Sequence, residues 1–336
     1  MNRLVKKRIF TIFWIALGIF IADVTYRYGI EFLAVPTSSM QTTIKAGDNV
    51  WVNKLKPGPR FYSNKIKSYF RLKLGNELKY NDIIVFNFPD ADTAFTEKPG
   101  ESYYLLKRQS AVVDSIVQQE KWGKLMALKV QQRPRMIKRI VGLPGDTIVI
   151  KNGLLMVNGR LFEEPSTGLN AYNWTGDTAV VQELEEFLER AIPIKEIDHK
   201  SVIHLINNEI PKLEKWKEDF SQTIIFRGVY DPNVYPFSKN RRWNSDNMGP
   251  IILPKKGEHI QLTSKNFDLY KRLVNVFECE DIQQKGNYLF NNNIPISKYT
   301  FKMDYYWVHG DNKPRSFDSR YWGPVPENHI VGVVRP

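Results

Sequence analysis

A serine and a lysine in this chain of 336 residues lie in segments that suit an activated nucleophile. Ser39 lies in the polar turn 36–40 after an apolar N-terminal segment, and Lys138 lies in a run of isoleucine and valine that ends at a Pro-Gly turn. A lysine in water has a pKa near ~10.4, so at neutral pH it cannot accept a proton from a hydroxyl. Burial in apolar surroundings can lower that pKa by several units. The two segments therefore suggest a serine nucleophile that is activated by a lysine base.

The position of Lys138 on a predicted strand is compatible with such a base. Met136 and Ile140 share its face of the strand, whereas Arg139 points to the opposite face and is expected to pair elsewhere. A single lysine in a strand more often lies at a solvent-facing or edge position. The strand alone therefore leaves a catalytic and a structural role open.

The composition argues against several other kinds of site. A hydrophobic content of 42% predicts a folded protein with a core, and the single cysteine, Cys279, excludes an intramolecular disulfide. Cys279 has no second soft ligand nearby, and the chain has no phosphate-binding glycine loop. Metal-ligand spacing is also missing among His199, His204, His259 and His329. We therefore expect no metal and no cofactor.

The net charge of +12 allows an anionic partner, either nucleic acid or an anionic membrane surface. The cations are scattered among 36 acidic residues, so we expect no nucleic-acid partner. A basic segment at 54–80 contains several aromatic residues as well. This segment is either a solvated loop or a surface that contacts anionic lipid.

The N-terminal segment favours the membrane. Residues 9–22 carry no charge, and they are preceded by the cations Arg3, Lys6, Lys7 and Arg8. A helix needs ~20 residues to cross a bilayer, so we expect a transmembrane anchor over residues 9–30. The cations before it predict a cytoplasmic N-terminus at 1–8, with the rest of the chain outside. A cleaved signal peptide has a similar pattern, but the candidate site ending at Ala34 has Phe32 where a small residue is needed.

The remaining sequence contains many short strand patterns separated by turns, which predicts a mainly antiparallel β fold. Asn152-Gly153 predicts a type I′ hairpin at 147–157, and a second Asn-Gly at 158–159 suggests continued antiparallel pairing. A segment at 110–130 is expected to be helical. The other predicted strands are 49–53, 82–86, 305–308 and 329–334.

Residues 161–300 differ in pattern from the sequence on either side. Apolar residues spaced by about 3.6 positions predict amphipathic helices at 178–191 and 202–220. We therefore interpret 161–300 as an α+β subdomain inserted into a catalytic β core, whose two parts are 31–160 and 301–336.

Five short segments, in this order along the chain, resemble the sequence boxes of the bacterial signal peptidase I family, membrane-anchored serine proteases with a Ser-Lys dyad. The segments are 36–40, 47–48, 82–86, 138–146 and 310–327. The first matches the nucleophile box and the fourth the lysine box. The resemblance implies a mainly β, antiparallel catalytic core of the signal-peptidase kind, with an N-terminal transmembrane helix.

The resemblance also implies roles for individual residues. Ser39 is the nucleophile and Lys138 the general base. The hydroxyl of Thr37 joins the Ser39 backbone N–H in an oxyanion hole, and the hydroxyl of Ser316 helps to orient the lysine amine. These four residues are the expected reactive site.

Three further residues are expected to support that site. Asp318 and Arg320 match an ion pair behind the site, and Gly310 matches a position of close backbone approach. The chain departs from the family pattern at two places, where Ser38 replaces a glycine and 313–315 reads Lys-Pro-Arg.

These expectations combine into one function. The chain is expected to be a single-pass serine endopeptidase of the cell (inner) membrane that removes signal peptides from exported preproteins on the outer face. Its expected partners are those signal peptides and the lipid bilayer, and we expect a monomer. The resemblance implies small residues, commonly alanine, at the first and third positions before the cut.

Three alternatives remain open. A non-catalytic, membrane-tethered β protein of the same fold could bind through its basic surface, but it would not need Ser39, Lys138 and Ser316. A triad of Ser39 with His309 and Asp311 is also conceivable, although the family gives histidine no role. A self-cleaving repressor with a related dyad would need an N-terminal DNA-binding helix-turn-helix where the apolar segment lies.

Overall fold

A computed structural model describes residues 3–335 except 63–68, 74, 76, 111, 120, 193–194 and 198–199. His199 therefore lies outside the described residues. The helices are α1 (Arg3–Val24), α2 (Tyr103–Gln109), α3 (Val113–Gln118), α4 (Thr178–Leu188), α5 (Phe267–Arg272) and α6 (Ser319–Trp322). Two π-helical turns, Thr25–Gly29 and Leu273–Phe277, directly follow α1 and α5.

Most of the regular structure consists of strands. They are β1 (Ile30–Ala34), β2 (Asn49–Asn53), β3 (Arg60–Tyr62), β4 (Tyr69–Arg71), β5 (Ile83–Asn87), β6 (Thr93–Phe95), β7 (Lys98–Ser102), β8 (Leu125–Ala127), β9 (Arg135–Gly142), β10 (Thr147–Lys151), β11 (Leu154–Val157), β12 (Arg160–Leu161), β13 (Leu169–Trp174), β14 (Lys195–Ile197), β15 (Lys200–Ile206), β16 (Phe220–Gln222), β17 (Met248–Ile252), β18 (His259–Gln261), β19 (Ile282–Lys285), β20 (Tyr288–Asn291), β21 (Ile294–Ile296), β22 (Lys298–Thr300), β23 (Tyr305–His309), β24 (Val325–Pro326) and β25 (Ile330–Arg335).

The largest sheet has seven strands in the order β1-β2-β25-β5-β9-β23-β24, and each neighbouring pair is antiparallel. The five residues of β5 are all buried because hydrophobic clusters cover both faces of the sheet. Strand β9 lies beside β5, with Lys138 opposite Ile84 and Met136 opposite Phe86. The predicted mainly β, antiparallel fold is confirmed.

A second sheet, in the order β12-β11-β10-β17, contains the predicted hairpin. Asn152 and Gly153 have φ angles of 50° and 76°, as a type I′ turn requires, and Asn158 and Gly159 repeat this geometry at the next turn. The strands predicted at 49–53, 82–86, 305–308 and 329–334 are present to within about one residue. Local turn chemistry therefore located this part of the fold correctly.

The predicted insertion at 161–300 contains two structurally different parts. Strands β14-β15-β13-β16 form a separate sheet, and α4 packs on it through a cluster that includes Trp174, Leu184 and Leu205. Strand β17 instead pairs with β10, and buried residues such as Phe267 and Leu289 share a cluster with the β10-β11 hairpin. The second part is thus continuous with the catalytic core.

Two helix predictions in or near this region need correction. The helix predicted at 202–220 is wrong, because residues 200–206 form β15 and its residues 201–206 pair with β13. β-branched Val202 and Ile203 favour a strand, and Pro211 interrupts any helix that would follow. In the described part of 110–130 the α-helix is the short α3, and β8 follows it, so the helix predicted over the whole segment is wrong. The helix predicted at 178–191 is confirmed as α4.

The N-terminal helix is the element that could enter a membrane. The stretch Lys7–Gly29 has a mean hydropathy of 1.9 and is long enough to cross a bilayer, and none of its most apolar window is buried in the protein. The chain passes from it through the π-helical turn directly into β1. The helix is therefore compatible with membrane anchoring, and it adjoins the seven-stranded sheet.

Candidate active site

The segment that carries Ser39 is a tight turn between β1 and β2. The backbone N–H groups of Thr43 and Ile44 donate to the carbonyl of Met40 at 3.1 and 2.8 Å, and the Met40 side chain is buried in the core. The Ser39 carbonyl accepts the backbone N–H of Asn312 at 3.0 Å. These contacts fix the turn against the loop that follows β23.

The predicted nucleophile and base lie in direct contact. Lys138 Nζ is 2.6 Å from Ser39 Oγ and donates to the carbonyl of Ile137 at 2.9 Å. The Lys138 side chain is 2% exposed although it ends in an amine. Burial lowers its pKa to about 8, against the opposing effect of Asp318 and Asp311 at longer range. The geometry permits proton transfer from Ser39 to a neutral Lys138.

Thr37 lies close to this pair, whereas the contacts of the Ser316 hydroxyl are with Asp318 and Gly310. Thr37 Oγ1 is 3.4 Å from Ser39 Oγ. The Ser316 hydroxyl donates to Asp318 Oδ2 at 2.6 Å and accepts the Gly310 N–H at 3.1 Å. Among the described residues, the hydrogen bonds of the Lys138 amine go to Ser39 and Ile137. Orientation of the lysine by Ser316 therefore stays a prediction.

Asp318 and Arg320 form a buried ion pair next to Ser316. Arg320 Nε and Nη2 donate to the two carboxylate oxygens at 2.8 and 2.9 Å. Burial alone would raise the pKa of Asp318, but the charge of Arg320 and its hydrogen bonds hold that pKa well below its usual range. Asp318 is therefore ionised, and it holds the Ser316 hydroxyl in a fixed direction.

Gly310 is a position where only glycine fits. A Cβ atom there would overlap Ser316 Oγ and would lie 2.5 Å from the Ser39 carbonyl oxygen. The φ angle of Gly310 is not in the left-handed region, so close approach rather than backbone freedom requires the glycine. Any larger residue would displace either the turn that carries Ser39 or the Ser316 side chain.

The structure also shows contacts whose partners the sequence patterns had not identified. Arg139 donates to both carboxylate oxygens of Asp311 at 2.8 and 2.5 Å, which identifies the partner that its strand position required. Asn312 Nδ2 donates to the Ser38 carbonyl at 3.0 Å. The hydroxyl oxygen of Thr167, a residue of the predicted insertion, lies 2.7 Å from the hydroxyl oxygen of Thr43. The sequence signal for the contacts of Asp311 and Asn312 was their position directly after Gly310.

The alternative triad gains no support. Among the described residues, His309 forms no hydrogen bond with Ser39 or Asp311, and its Nε2 instead accepts from Trp307 at 3.0 Å. Burial lowers the pKa of His309 to about 4. Within the same described part of the chain, no three His, Cys, Asp or Glu residues are grouped as metal ligands.

The fold and the site together define a class of protein: a serine hydrolase with a mainly antiparallel β core and an apolar N-terminal helix. The family model described as "Signal peptidase, peptidase S26" matches residues 6–197 and 254–336, and the chain belongs to this family. It is therefore a serine endopeptidase with signal peptidase activity, as the sequence predicted.

Individual relatives agree with the family. A "Signal peptidase I" of Buchnera aphidicola subsp. Baizongia pistaciae (strain Bp) is 23% identical over 308 residues, which cover 90% of this chain and 68% of the relative. A "Signal peptidase I" of Buchnera aphidicola subsp. Acyrthosiphon pisum (strain APS) is 44% identical over 48 residues, or 14% of this chain and 15% of the relative. Nothing in these comparisons favours the non-catalytic alternative.

Proposed function

We propose that this peptidase uses Ser39 as its nucleophile and Lys138 as its general base. The observation that carries the proposal is the 2.6 Å contact between Ser39 Oγ and the buried Lys138 amine. Ser39 Oγ attacks the scissile carbonyl while neutral Lys138 accepts the hydroxyl proton. The ammonium then returns a proton to the leaving amine, which gives an acyl-enzyme. The same amine activates the water that hydrolyses the ester.

The negative charge that develops on the carbonyl oxygen needs hydrogen-bond donors. The backbone N–H of Ser39 and the hydroxyl of Thr37 are the proposed donors, and one such donor is worth ~3 kcal/mol of transition-state stabilisation. Ser316 is proposed to guide the lysine amine when the substrate displaces it from its resting contacts. The ion pair of Asp318 and Arg320 fixes Ser316, and Gly310 leaves room for it.

The proposed substrates are the signal peptides of exported preproteins, bound as an added strand in an apolar cleft. Small residues at the first and third positions before the cut are part of this proposal. Detergent-solubilised enzyme should cleave a preprotein that has alanine at both positions, and the mature product should begin at the residue after the cut. The same preprotein with tryptophan at the first position before the cut should be cleaved at least tenfold more slowly. This corresponds to an increase in activation free energy on the order of 1.4 kcal/mol. Equal cleavage of both would contradict the proposed specificity.

We propose a single crossing of the cell (inner) membrane by residues 9–30, with residues 1–8 in the cytoplasm, the catalytic domain outside and a monomeric protein. The cations before the helix support this orientation. The protein should stay with the membrane after a high-salt wash, because salt screens surface attraction but does not release a buried apolar helix. Protease added from the outer side should digest the catalytic domain.

Two outcomes would contradict this topology. Release into the soluble fraction by salt would indicate a purely electrostatic attachment. A mature N-terminus near residue 35, in place of Met1 or Asn2, would show that the helix is a cleaved signal peptide. N-terminal sequencing of the membrane fraction distinguishes these outcomes.

A further inference from the structure

A cavity of about 560 Å³ lies where the N-terminal helix meets the catalytic sheet. Tyr26, Arg27 and Tyr28 line it from the helix end, and Arg60 and Arg135 line it from the catalytic domain. No residue to which we have given a role in the reaction lies in its wall. The cavity is therefore separate from the active site, and its volume is in the range of small-ligand sites, roughly 300–1,000 Å³.

The wall of this cavity has an excess of positive charge. Four cations, namely Arg27, Lys54, Arg60 and Arg135, line it with one carboxylate, Glu31. Lys54 and Arg135 both pair with Glu31, so one carboxylate serves two cations. Even with Asp23, which pairs with Arg27 from outside the wall, two negative charges face four positive charges.

Arg60 is the cation with the least charge compensation. Its guanidinium donates to the carbonyls of Asn328 and His329 at 2.9 and 3.0 Å, and among the described residues it forms no ion pair. Burial lowers the pKa of Arg60, and the positive charges of Arg71 and Arg135 act in the same direction. An anion in the cavity would therefore be attracted by charge that the protein itself does not neutralise.

The position of the cavity at the C-terminal end of the anchor indicates which class of anion it binds. Its wall begins at Tyr26, within the last turn of the stretch long enough to cross a bilayer, Lys7–Gly29. Tyr28 stacks on Phe61 with ring centroids 5.0 Å apart, and Phe70 lies 6.1 Å beyond Phe61. Aromatic residues concentrate at the level of lipid headgroups. The cavity therefore lies at headgroup depth if the helix crosses the membrane, as proposed above.

We propose that this cavity binds the phosphate of an anionic phospholipid headgroup, with the acyl chains lying along the exposed apolar side chains of α1. Arginine side chains recognise phosphate through paired N–H donors, and basic groups beside a membrane span attract anionic lipid. The bound lipid fills the junction between anchor and catalytic domain. Lys54 and Arg60 of the basic segment 54–80 then line a specific binding site for lipid.

Lipid retention by the full-length protein tests this assignment. Wild type, Arg27→Gln/Arg135→Gln and Lys215→Gln/Lys217→Gln would each be purified in detergent with equal amounts of phosphatidylglycerol and phosphatidylcholine. Arg27 and Arg135 are 65% and 36% exposed, and Lys215 and Lys217 are 65% and 58% exposed. Both variants lose two positive charges and two ion pairs, so the lysine variant is a matched control.

Native mass spectrometry counts the lipids that remain bound. Wild type and the lysine variant should retain one phosphatidylglycerol, and the arginine variant should retain it at least tenfold less. Equal retention by all three proteins, or equal retention of the two lipids by wild type, would overturn the proposal. Both variants should cleave a soluble peptide like wild type, because neither pair lies at the active site.

A soluble competitor separates the lipid from free phosphate. Glycerol 1-phosphate carries the same phosphate without acyl chains, so millimolar amounts should leave the bound lipid in place. Displacement at such concentrations would assign the cavity to a soluble phosphate compound instead. Because this assay is done in detergent, it reports on the cavity alone. Failure of the anchoring proposal would appear separately, as release of the protein by salt.

Discussion

Replacement of Ser39 by alanine should reduce preprotein cleavage to background, whereas replacement of Ser38 should preserve most of the activity. Ser39 Oγ lies 2.6 Å from the lysine amine. The backbone carbonyl of Ser38, which alanine retains, accepts from Asn312 Nδ2 and from the backbone N–H of Gln41, both at 3.0 Å. Loss of a serine nucleophile lowers the rate of a peptidase by roughly 10⁶-fold. Replacement of Ser38 by alanine should lower the cleavage rate by less than about tenfold, which is less than about 1.4 kcal/mol of activation free energy.

The measurement is the rate of preprotein cleavage by purified enzyme, with thermal unfolding of each variant as the folding control. Ser38→Ala should unfold within about 0.5–1 kcal/mol of wild type. Ser39→Ala should unfold within about 1–3 kcal/mol of wild type, because it removes a hydrogen-bond partner of the buried Lys138 amine. Substantial cleavage by Ser39→Ala together with inactive Ser38→Ala would reassign the nucleophile. Loss of activity in both variants with normal folding would mean that the turn itself, rather than one hydroxyl, limits the reaction.

Sequence patterns located the elements whose structure is decided locally. Asn152-Gly153 specified its turn because both residues can adopt positive φ angles, and the structure has that hairpin. Residues 202–220 were assigned wrongly because their strand depends on pairing with β13, which lies about 30 residues earlier in the chain. Helical spacing of apolar residues was present there, but the partner strand determined the outcome.

The same distinction applies to the active site. The sequence indicated Ser39 and Lys138 because segments 36–40 and 138–146 resemble the nucleophile and lysine boxes of the signal peptidase I family. The pairing of Arg139 with Asp311 joins positions 172 residues apart, and no local pattern encodes that distance. The cavity beside the anchor is likewise formed by residues that are distant in sequence, since folding brings Arg27 and Arg135 together in its wall. The dyad was therefore predictable from these segments, whereas the partner of Arg139 and the cavity were not.

Replacement of Lys138 by methionine should abolish cleavage and at the same time stabilise the folded protein at neutral pH. The folded-state pKa of about 8 lies below the unperturbed value of 10.5. This difference corresponds to a cost of about 3 kcal/mol for burying the lysine at pH 7. Methionine has a similar length and no charge, but it loses the hydrogen bonds to Ser39 and Ile137, each worth ~1 kcal/mol. The net gain in unfolding free energy should be about 1–2 kcal/mol.

The difference in stability between wild type and Lys138→Met should depend on pH. Because the folded-state pKa of Lys138 is lowered, the unfolded state binds more protons between the two pKa values, and wild-type stability rises over that interval. The stability advantage of Lys138→Met should therefore be constant below about pH 7 and should shrink from about pH 8 upward. Denaturant unfolding of both proteins at several pH values measures it. A difference that does not change with pH would mean that Lys138 titrates normally in the folded state.

Activity should follow the same ionisation in wild type. The cleavage rate should rise about tenfold per pH unit below the lysine pKa and level off above about pH 8, because only the neutral amine accepts the serine proton. Lys138→Arg should be inactive at every pH, since guanidinium stays charged. A rate that falls steadily from about pH 6 to about pH 9 would exclude lysine as the base. Rate and stability report the same proton on the same nitrogen, so their transitions must agree for Lys138 to be the general base.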